Sequence, residues 1–385
     1  MSAPTKLLIY SADFWPAVGG VQSVVMTQAQ GFASREHARD FECTVVTETP
    51  AETPSDSGLP FRVVRKPNLM QLAYLLWRSD LVHLAGPALR PLILSCLFRK
   101  TIVVEHHGFH AICPNGLLFH EPTRSACPRH FLAGSHRECW RCNAGSGRWR
   151  SLVLWALTFF RRWFCRLVSA NIVPTRWLNE LLHLPRTFVV PHGVAERPVV
   201  PFAHLNGSKF VFIGRLVSTK GVDLLLRASA ELLRKGVQCR LVIIGDGPER
   251  KNLELLCRKL GLTQRVDFAG HVAEREVEAL LSDAVALVVP SRAGEVFGLV
   301  AAETMMRGRS VIAPEAGSLA EVVGETGREF APGDAMSLAD CLERFLRSPE
   351  VAIELGARAR QRSFELFRAD QMVDSHLVLY QGVLK

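Results

Sequence analysis

Short apolar runs alternate with helix-length amphipathic segments along this chain of 385 residues, and they do so in two separate series. The first places runs at 7–10, 44–47, 81–84 and 102–105, which read as parallel strands buried on both faces. The second opens at Lys209, with strands expected at 210–213, 241–244, 266–268, 286–289 and 311–313. Helices fit between them at 222–235, 249–260 and 274–281. Two successive βα series predict an α/β chain of two doubly wound, Rossmann-like domains facing a central cleft, each binding ligand at the carboxyl ends of its strands.

The length supports the same division, because 385 residues exceed what one hydrophobic core normally fills. The expected domains are 1–195 and 209–365. The segment between them, 195–208, carries Pro198, Pro201, Asn206 and Gly207 without helical or strand periodicity and reads as a linker. A closing helical stretch, 366–385, is expected to pack back on the first domain.

Pro290 to Glu303 carries the densest chemistry: Pro-Ser-Arg-Ala-Gly-Glu-Val-Phe-Gly-Leu-Val-Ala-Ala-Glu, a strand end, a glycine loop and a helix start. If the helix begins near Gly298, the backbone N–H groups of Phe297, Gly298, Leu299 and Val300 can hold a diphosphate, since helix N-termini favour anions. Glu303, about a turn deeper, suits the two hydroxyls of a ribose, and Glu295 on the loop suits sugar hydroxyls. Arg215, just past a strand end, and Lys220, just before a helix, can reach diphosphate oxygens. Expulsion of a nucleoside diphosphate develops negative charge that such cations stabilise without a metal, and no Asp-x-Asp motif occurs.

The Gly214-Arg215-Leu216 segment with Lys220-Gly221, the Gly245-Asp246-Gly247-Pro248 turn and the Glu-x7-Glu pair together resemble the retaining glycosyltransferases of family four, of GT-B fold. Gly19-Gly20 after the first strand and His107-Gly108 after a later one are similar to that family's glycine loop and histidine motif. The resemblance implies that Gly20 backs the diphosphate or acceptor and that His107 contacts the donor sugar. It also implies that Arg215 and Lys220 bind diphosphate, that Gly245 and Gly247 belong to the donor site, with ordinary strand-helix turns as the alternative, that Glu303 binds ribose and that Glu295 touches the transferred sugar. Retention of anomeric configuration is implied in the same way. The sequence departs from the family pattern at His192, where Asn is usual, at Ser318, which replaces the second glycine of a pair, and at Ser310, which replaces a proline. A nicotinamide cofactor lacks its Gly-x-Gly-x-x-Gly signature.

Four cysteines crowd the stretch after His107: Cys113, Cys127, Cys139 and Cys142. The Cys139-Trp-Arg-Cys142 pair has the bite of a metal knuckle, and four thiolates would close a structural zinc site. The readings left open are structural zinc, a redox disulfide or other cluster, and unliganded thiols, with His110, His120, His130 and His136 as substitute ligands. Residues 109–147 show little periodicity, so a staple is expected to order them.

Charge is placed unevenly: 21 basic face 12 acidic side chains up to Ala195, whereas the remainder holds 25 of each, so the net +9 lies in the first half. An anionic partner follows, either phospholipid, a phosphorylated substrate or nucleic acid, against the alternative of a merely soluble basic face. Residues 152–168 interleave Trp155, Phe159, Phe160, Trp163 and Phe164 with Arg161, Arg162 and Arg166, the composition of an interfacial helix, with a buried core helix as the competing reading. The start of the chain lacks a leader pattern, the cysteines do not make a disulfide framework, and the longest apolar run, 152–160, is too short to span a bilayer. These points predict a cytoplasmic protein, peripheral on the inner face of the plasma membrane.

The expected reaction is metal-independent transfer of a hexosyl group from a UDP- or GDP-sugar to a hydroxyl acceptor. A lipid-linked saccharide in cell-surface polysaccharide or glycolipid assembly is the favoured acceptor. No cofactor is expected for catalysis, with structural zinc as the one candidate ion. The rivals are a nucleotide-sugar epimerase on the same fold and a non-catalytic metal- or nucleic-acid-binding protein; no recognition-helix or aromatic strand motif supports the last.

Overall fold

A computed structural model describes residues 4–17, 19–34, 40–50, 56–202 and 208–385. Asn206 and Gly207 of the expected linker lie outside the described residues. The chain forms two compact units, Met1–Gly116 with Arg129–Gly193 and Arg368–Lys385, and Leu117–Pro128 with Val194–Phe367.

The first unit is built on a parallel sheet. Its strands are β1 (Thr5–Ser11), β2 (Phe41–Thr47), β3 (Arg62–Arg65), β4 (Leu81–Ala85) and β5 (Thr101–Glu105); after a short antiparallel pair, β6 (Phe119–His120) and β7 (Ser125–Ala126), come β8 (Ala170–Val173) and β9 (Thr187–Val189). The order is β3-β2-β1-β4-β5-β8-β9, and the direction of strand addition reverses between β1 and β4. That reversal opens the sheet at its carboxyl ends, where ligands of such sheets bind. The helices are α1 (Gly20–Phe32), α2 (Leu69–Arg78), α3 (Leu89–Leu97), α4 (His136–Asn143), α5 (Arg148–Cys165) and α6 (Arg176–Leu182). Side chains start two of them: the Asn68 carboxamide accepts from Gln71 N at 2.8 Å before α2, and the Thr175 hydroxyl accepts from Leu178 N at 3.3 Å before α6.

β8 was not expected, because Asn171 interrupts its apolar run. The structure satisfies this buried side chain completely: its Nδ2 donates to the Cys165 and Pro185 carbonyls at 2.8 and 3.0 Å, and its Oδ1 lies 3.0 Å from His106 Nε2. The stretch 109–147 also differs from expectation. It is partly regular, and α4 places Cys139 and Cys142 one turn apart on a helix whose polar sequence hid it.

The second unit has the sheet order β12-β11-β10-β13-β14-β15, again parallel. Its strands are β10 (Lys209–Ile213), β11 (Arg240–Ile244), β12 (Val266–Gly270), β13 (Ala284–Val288), β14 (Val311–Pro314) and β15 (Arg328–Phe330). The helices are α7 (Val222–Arg234), α8 (Arg250–Lys259), α9 (Glu274–Ser282), α10 (Leu299–Met306), α11 (Ser318–Val323), α12 (Ala335–Arg347) and α13 (Pro349–Leu366). Phe210, Phe212, Leu225, Ile243, Val288 and Phe345 fill one side of this core, and Val211, Leu287, Phe297, Met305 and Val311 the other. The last helix, α14 (Ala369–Leu384), lies in the first unit and packs on α1, where Gly31 lets Val373 approach and Tyr380 is wholly buried.

Candidate active site

In the second unit, three loops meet at the carboxyl ends of β10, β11 and β13. They are laced backbone to backbone: Leu216 N donates to the Asp246 carbonyl at 2.9 Å, Glu249 N to the Leu216 carbonyl at 3.0 Å, and Arg292 N to the Thr219 carbonyl at 2.8 Å. Two glycines make the lacing possible. Gly221 has φ +68°, and a Cβ there would lie 2.0 Å from the Pro290 oxygen; Gly245 has φ +122°, and a Cβ would lie 2.1 Å from the Gly214 oxygen. Arg292 and Asp223 add a bidentate bridge of 2.6 and 2.8 Å between the loop after β13 and the start of α7.

This lacing fixes the residues expected to bind donor. Lys220 pairs directly with Glu295, whose Oε1 also accepts from the Ser291 hydroxyl at 2.9 Å. The structure thus joins two residues that sequence reasoning gave separate tasks. Arg215 is exposed on the loop after β10. Gly298, at φ +97°, is the N-cap of α10, so Leu299 is the first helical residue. The Phe297 ring is committed to the core, edge-on to Phe367 at 5.2 Å. Glu303 lies in the first turns of α10, and burial raises its pKa although Arg307 and Arg197 oppose the shift.

In the first unit, Gly20 opens α1 after β1, and His107 follows β5. His107 belongs to a network that the sequence did not announce. Glu105, fully buried at the end of β5, accepts from Gln28 Nε2 at 2.7 Å. Four imidazoles point at it: His83 Nε2 at 3.1 Å, His376 at 3.5 Å and His107 at 3.6 Å from Oε2, and His192 at 3.5 Å from Oε1. Burial alone would raise the Glu105 pKa, yet the facing His107, His192 and His376 hold it well below the usual carboxylate range, so it is ionised. Burial lowers the pKa of His83 and of His192. It pushes the neighbouring His106 down to about 4, leaving a neutral ring on Asn171. His107 and His192 stack with ring centres 5.0 Å apart. The available signal was a glutamate closing an otherwise apolar strand, Thr-Ile-Val-Val-Glu.

Of the cysteines, Cys113, Cys139 and Cys142 fall in the first unit and Cys127 in the second. Cys113 Sγ donates to Asn115 Oδ1 at 3.0 Å, and Asn115 Nδ2 donates to Cys142 Sγ at 3.6 Å. The arginines of α5 are less free than an amphipathic reading expects: Arg162 donates to the Leu182 carbonyl at 2.9 Å, and burial lowers the pKa of both Arg161 and Arg162. Trp155 and Phe159 pack against His136 of α4. Phe160, Trp163, Arg166 and Leu167 remain exposed. No helix among the described residues is long and apolar enough to cross a membrane.

Residues 200–362, which include the three laced loops, match the family model for glycosyl transferases group 1. That segment is a group 1 glycosyl transferase domain. The chain is similar to alpha-D-kanosaminyltransferase of Streptomyces kanamyceticus, 32% identical over 170 residues that make up 44% of this chain and 41% of that protein. It is also similar to glycogen synthase of Mycobacterium tuberculosis, 35% identical over 215 residues, 52% of this chain and 51% of that protein. These matches thus span about half the length of the curated relatives or less. In three dimensions it resembles the Anabaena protein HepE, solved in complex with UDP-glucose, with a TM-score of 0.73 at 17% identity over 98% of this chain and 99% of that one. At that identity the likeness shows the fold, which is GT-B. The group 1 domain therefore provides one of two doubly wound units.

Proposed function

We propose that the protein transfers a hexosyl group from a UDP- or GDP-sugar to a hydroxyl acceptor with retention of configuration. The observation that carries this reading is the group of Lys220, Glu295, Gly298 and Glu303 on loops laced by Gly221 and Gly245 within the group 1 domain. Glu303 takes the ribose hydroxyls, the start of α10 with Arg215 and Lys220 takes the diphosphate, and Glu295 takes the sugar. Breaking its pairing with Lys220 frees the ammonium for phosphate and the carboxylate for sugar hydroxyls. The departing diphosphate is stabilised by these cations, and its oxygen can accept the proton of the incoming hydroxyl on the same face. Solved neighbours that bind UDP and UDP-glucose support the donor class.

Glu303→Ala should weaken binding of the nucleotide by about 10- to 100-fold, the value of ~1.5–3 kcal/mol for hydrogen bonds to a charged acceptor. Glu295→Ala should leave nucleotide affinity near wild type and reduce turnover of the sugar donor. Calorimetry with UDP and GDP, paired with product assays on a donor panel, checks both; unchanged nucleotide affinity in Glu303→Ala would remove the ribose assignment. Product formed from donor alone, without acceptor, would instead favour the epimerase.

The acceptor reading is a lipid-linked saccharide at an anionic membrane, with the protein peripheral on the cytoplasmic side. It is supported by three neighbouring helices of the first unit that turn apolar side chains to water: Met70, Tyr74 and Trp77 of α2, Leu97 of α3, and Trp149, Phe160 and Trp163 of α5. Basic side chains lie among them, and the first half carries the whole charge excess.

A further inference from the structure

Glu105 is wholly buried, and among the described residues no arginine or lysine is paired with it. A buried carboxylate is costly by several kcal/mol unless its surroundings compensate it, and a cation beside it would do so. Its neighbours divide into two sides. On one, hydrogen bonds tie groups in place: Gln28 Nε2 donates to Oε2 and lies 3.2 Å from His376 Nε2, while His376 Nδ1 lies 2.8 Å from the Met372 carbonyl. His83 Nδ1 lies 2.6 Å from the Tyr380 hydroxyl, while its Nε2, 3.1 Å from Oε2, makes no well-aligned hydrogen bond.

On the other side hydrogen bonding does not suffice. The 3.6 Å from His107 Nε2 and the 3.5 Å from His192 Nε2 to the carboxylate are too long for such bonds. They are close to the separation of about 3.3 Å between neighbouring ligands around a tetrahedral ion with bonds of ~2.0–2.1 Å. Glu105 Oε1 and both His107 ring nitrogens are buried and accept or donate no hydrogen bond. One ligand atom from each of Glu105, His107 and His192 falls within 4.8 Å of the others.

We propose that Glu105, His107 and His192 hold a divalent transition-metal ion, with Zn(II) the species that fits. Two imidazoles and a carboxylate are a donor set that zinc accepts, and the Gln28 hydrogen bond orients the carboxylate from behind as metal sites require. The ion places a full positive charge beside the carboxylate and locks the His107 ring at the end of β5. It also gives His192, which departs from the usual Asn, a purpose. The proposal stands independently of the donor assignment, since its test reads metal binding directly.

The test is titration of chelator-stripped protein with Co(II), in wild type and on a Cys139→Ser/Cys142→Ser background that silences any thiolate site. One equivalent should bind with the visible absorption of a low-coordinate nitrogen and oxygen site, without thiolate-to-cobalt charge transfer, and should raise the thermal midpoint. His192→Asn and Glu105→Gln should each weaken that binding by at least ~10-fold. Circular dichroism without metal verifies that they fold, and either variant suffices if the other does not. Absence of this Co(II) signal in both wild type and the cysteine background, or wild-type affinity in a folded His192→Asn, would overturn the proposal.

Discussion

Glu303 faces two opposing demands. Burial favours its neutral form, whereas accepting from two ribose hydroxyls favours its ionised form. The sign follows: a carboxyl whose pKa is raised in the folded protein contributes stability that is fully present below its unfolded value and is lost as pH rises through the folded one. Nucleotide binding runs the other way and needs the proton gone. Affinity for UDP should therefore be flat at neutral pH and fall as pH drops through a midpoint above the ordinary glutamate value. Calorimetry across that range checks this, and Glu303→Gln should flatten the dependence. At this scale the sequence exposed Glu295, Glu303, Arg215 and Lys220 through spacing, because loop and helix-start residues sit where apolar periodicity stops. It concealed the Lys220–Glu295 pairing and the histidines around Glu105, which are brought together from β4, β5, α14 and the segment before Val194, far apart along the chain.

Among the elements, the loops of the group 1 domain are where geometry leaves least freedom. Gly221→Ala must enter a left-handed conformation, costing about 1–2 kcal/mol, and must also push a methyl into the Pro290 carbonyl, which is backbone and cannot swing away. Urea unfolding of the variant should show a loss of at least ~2 kcal/mol, together with weakened nucleotide binding as the loop after β13 separates from the loop after β10. The central strands were legible because they are near-continuous apolar runs buried on both faces. β3, β9 and β15 were not: at four, three and three residues they are too short to show a period. α4 was hidden because its Cys, Arg and His content reads as loop, and the Cys139–Cys142 spacing drew attention to metal chemistry before helical geometry.

For the molecule as a whole, the charge excess and the exposed apolar side chains of α2, α3 and α5 belong to the same unit. Flotation with vesicles containing anionic phospholipid should show salt-sensitive binding. Replacement of Phe160 and Trp163 by Glu should abolish it, while leaving nucleotide affinity unchanged because neither lies in the group 1 domain. Binding that ignores salt and these substitutions would point to a soluble acceptor. The division into two doubly wound units was readable from the two βα series; the assignment of Leu117–Pro128 to the second unit was not, because packing rather than composition decides which unit a segment joins.

The return of α14 to the first unit has a consequence for inheritance. The group 1 domain lies within the gene as an insert between the parts of its companion rather than as a detachable tail. Recombination that exchanges donor specificity between relatives must therefore replace an interior cassette ending near Phe367 and preserve the reading frame on both sides. A single crossover would deliver a foreign α14 to the resident α1, and the fit of Val373 against Gly31 would then limit which parents yield a folded hybrid.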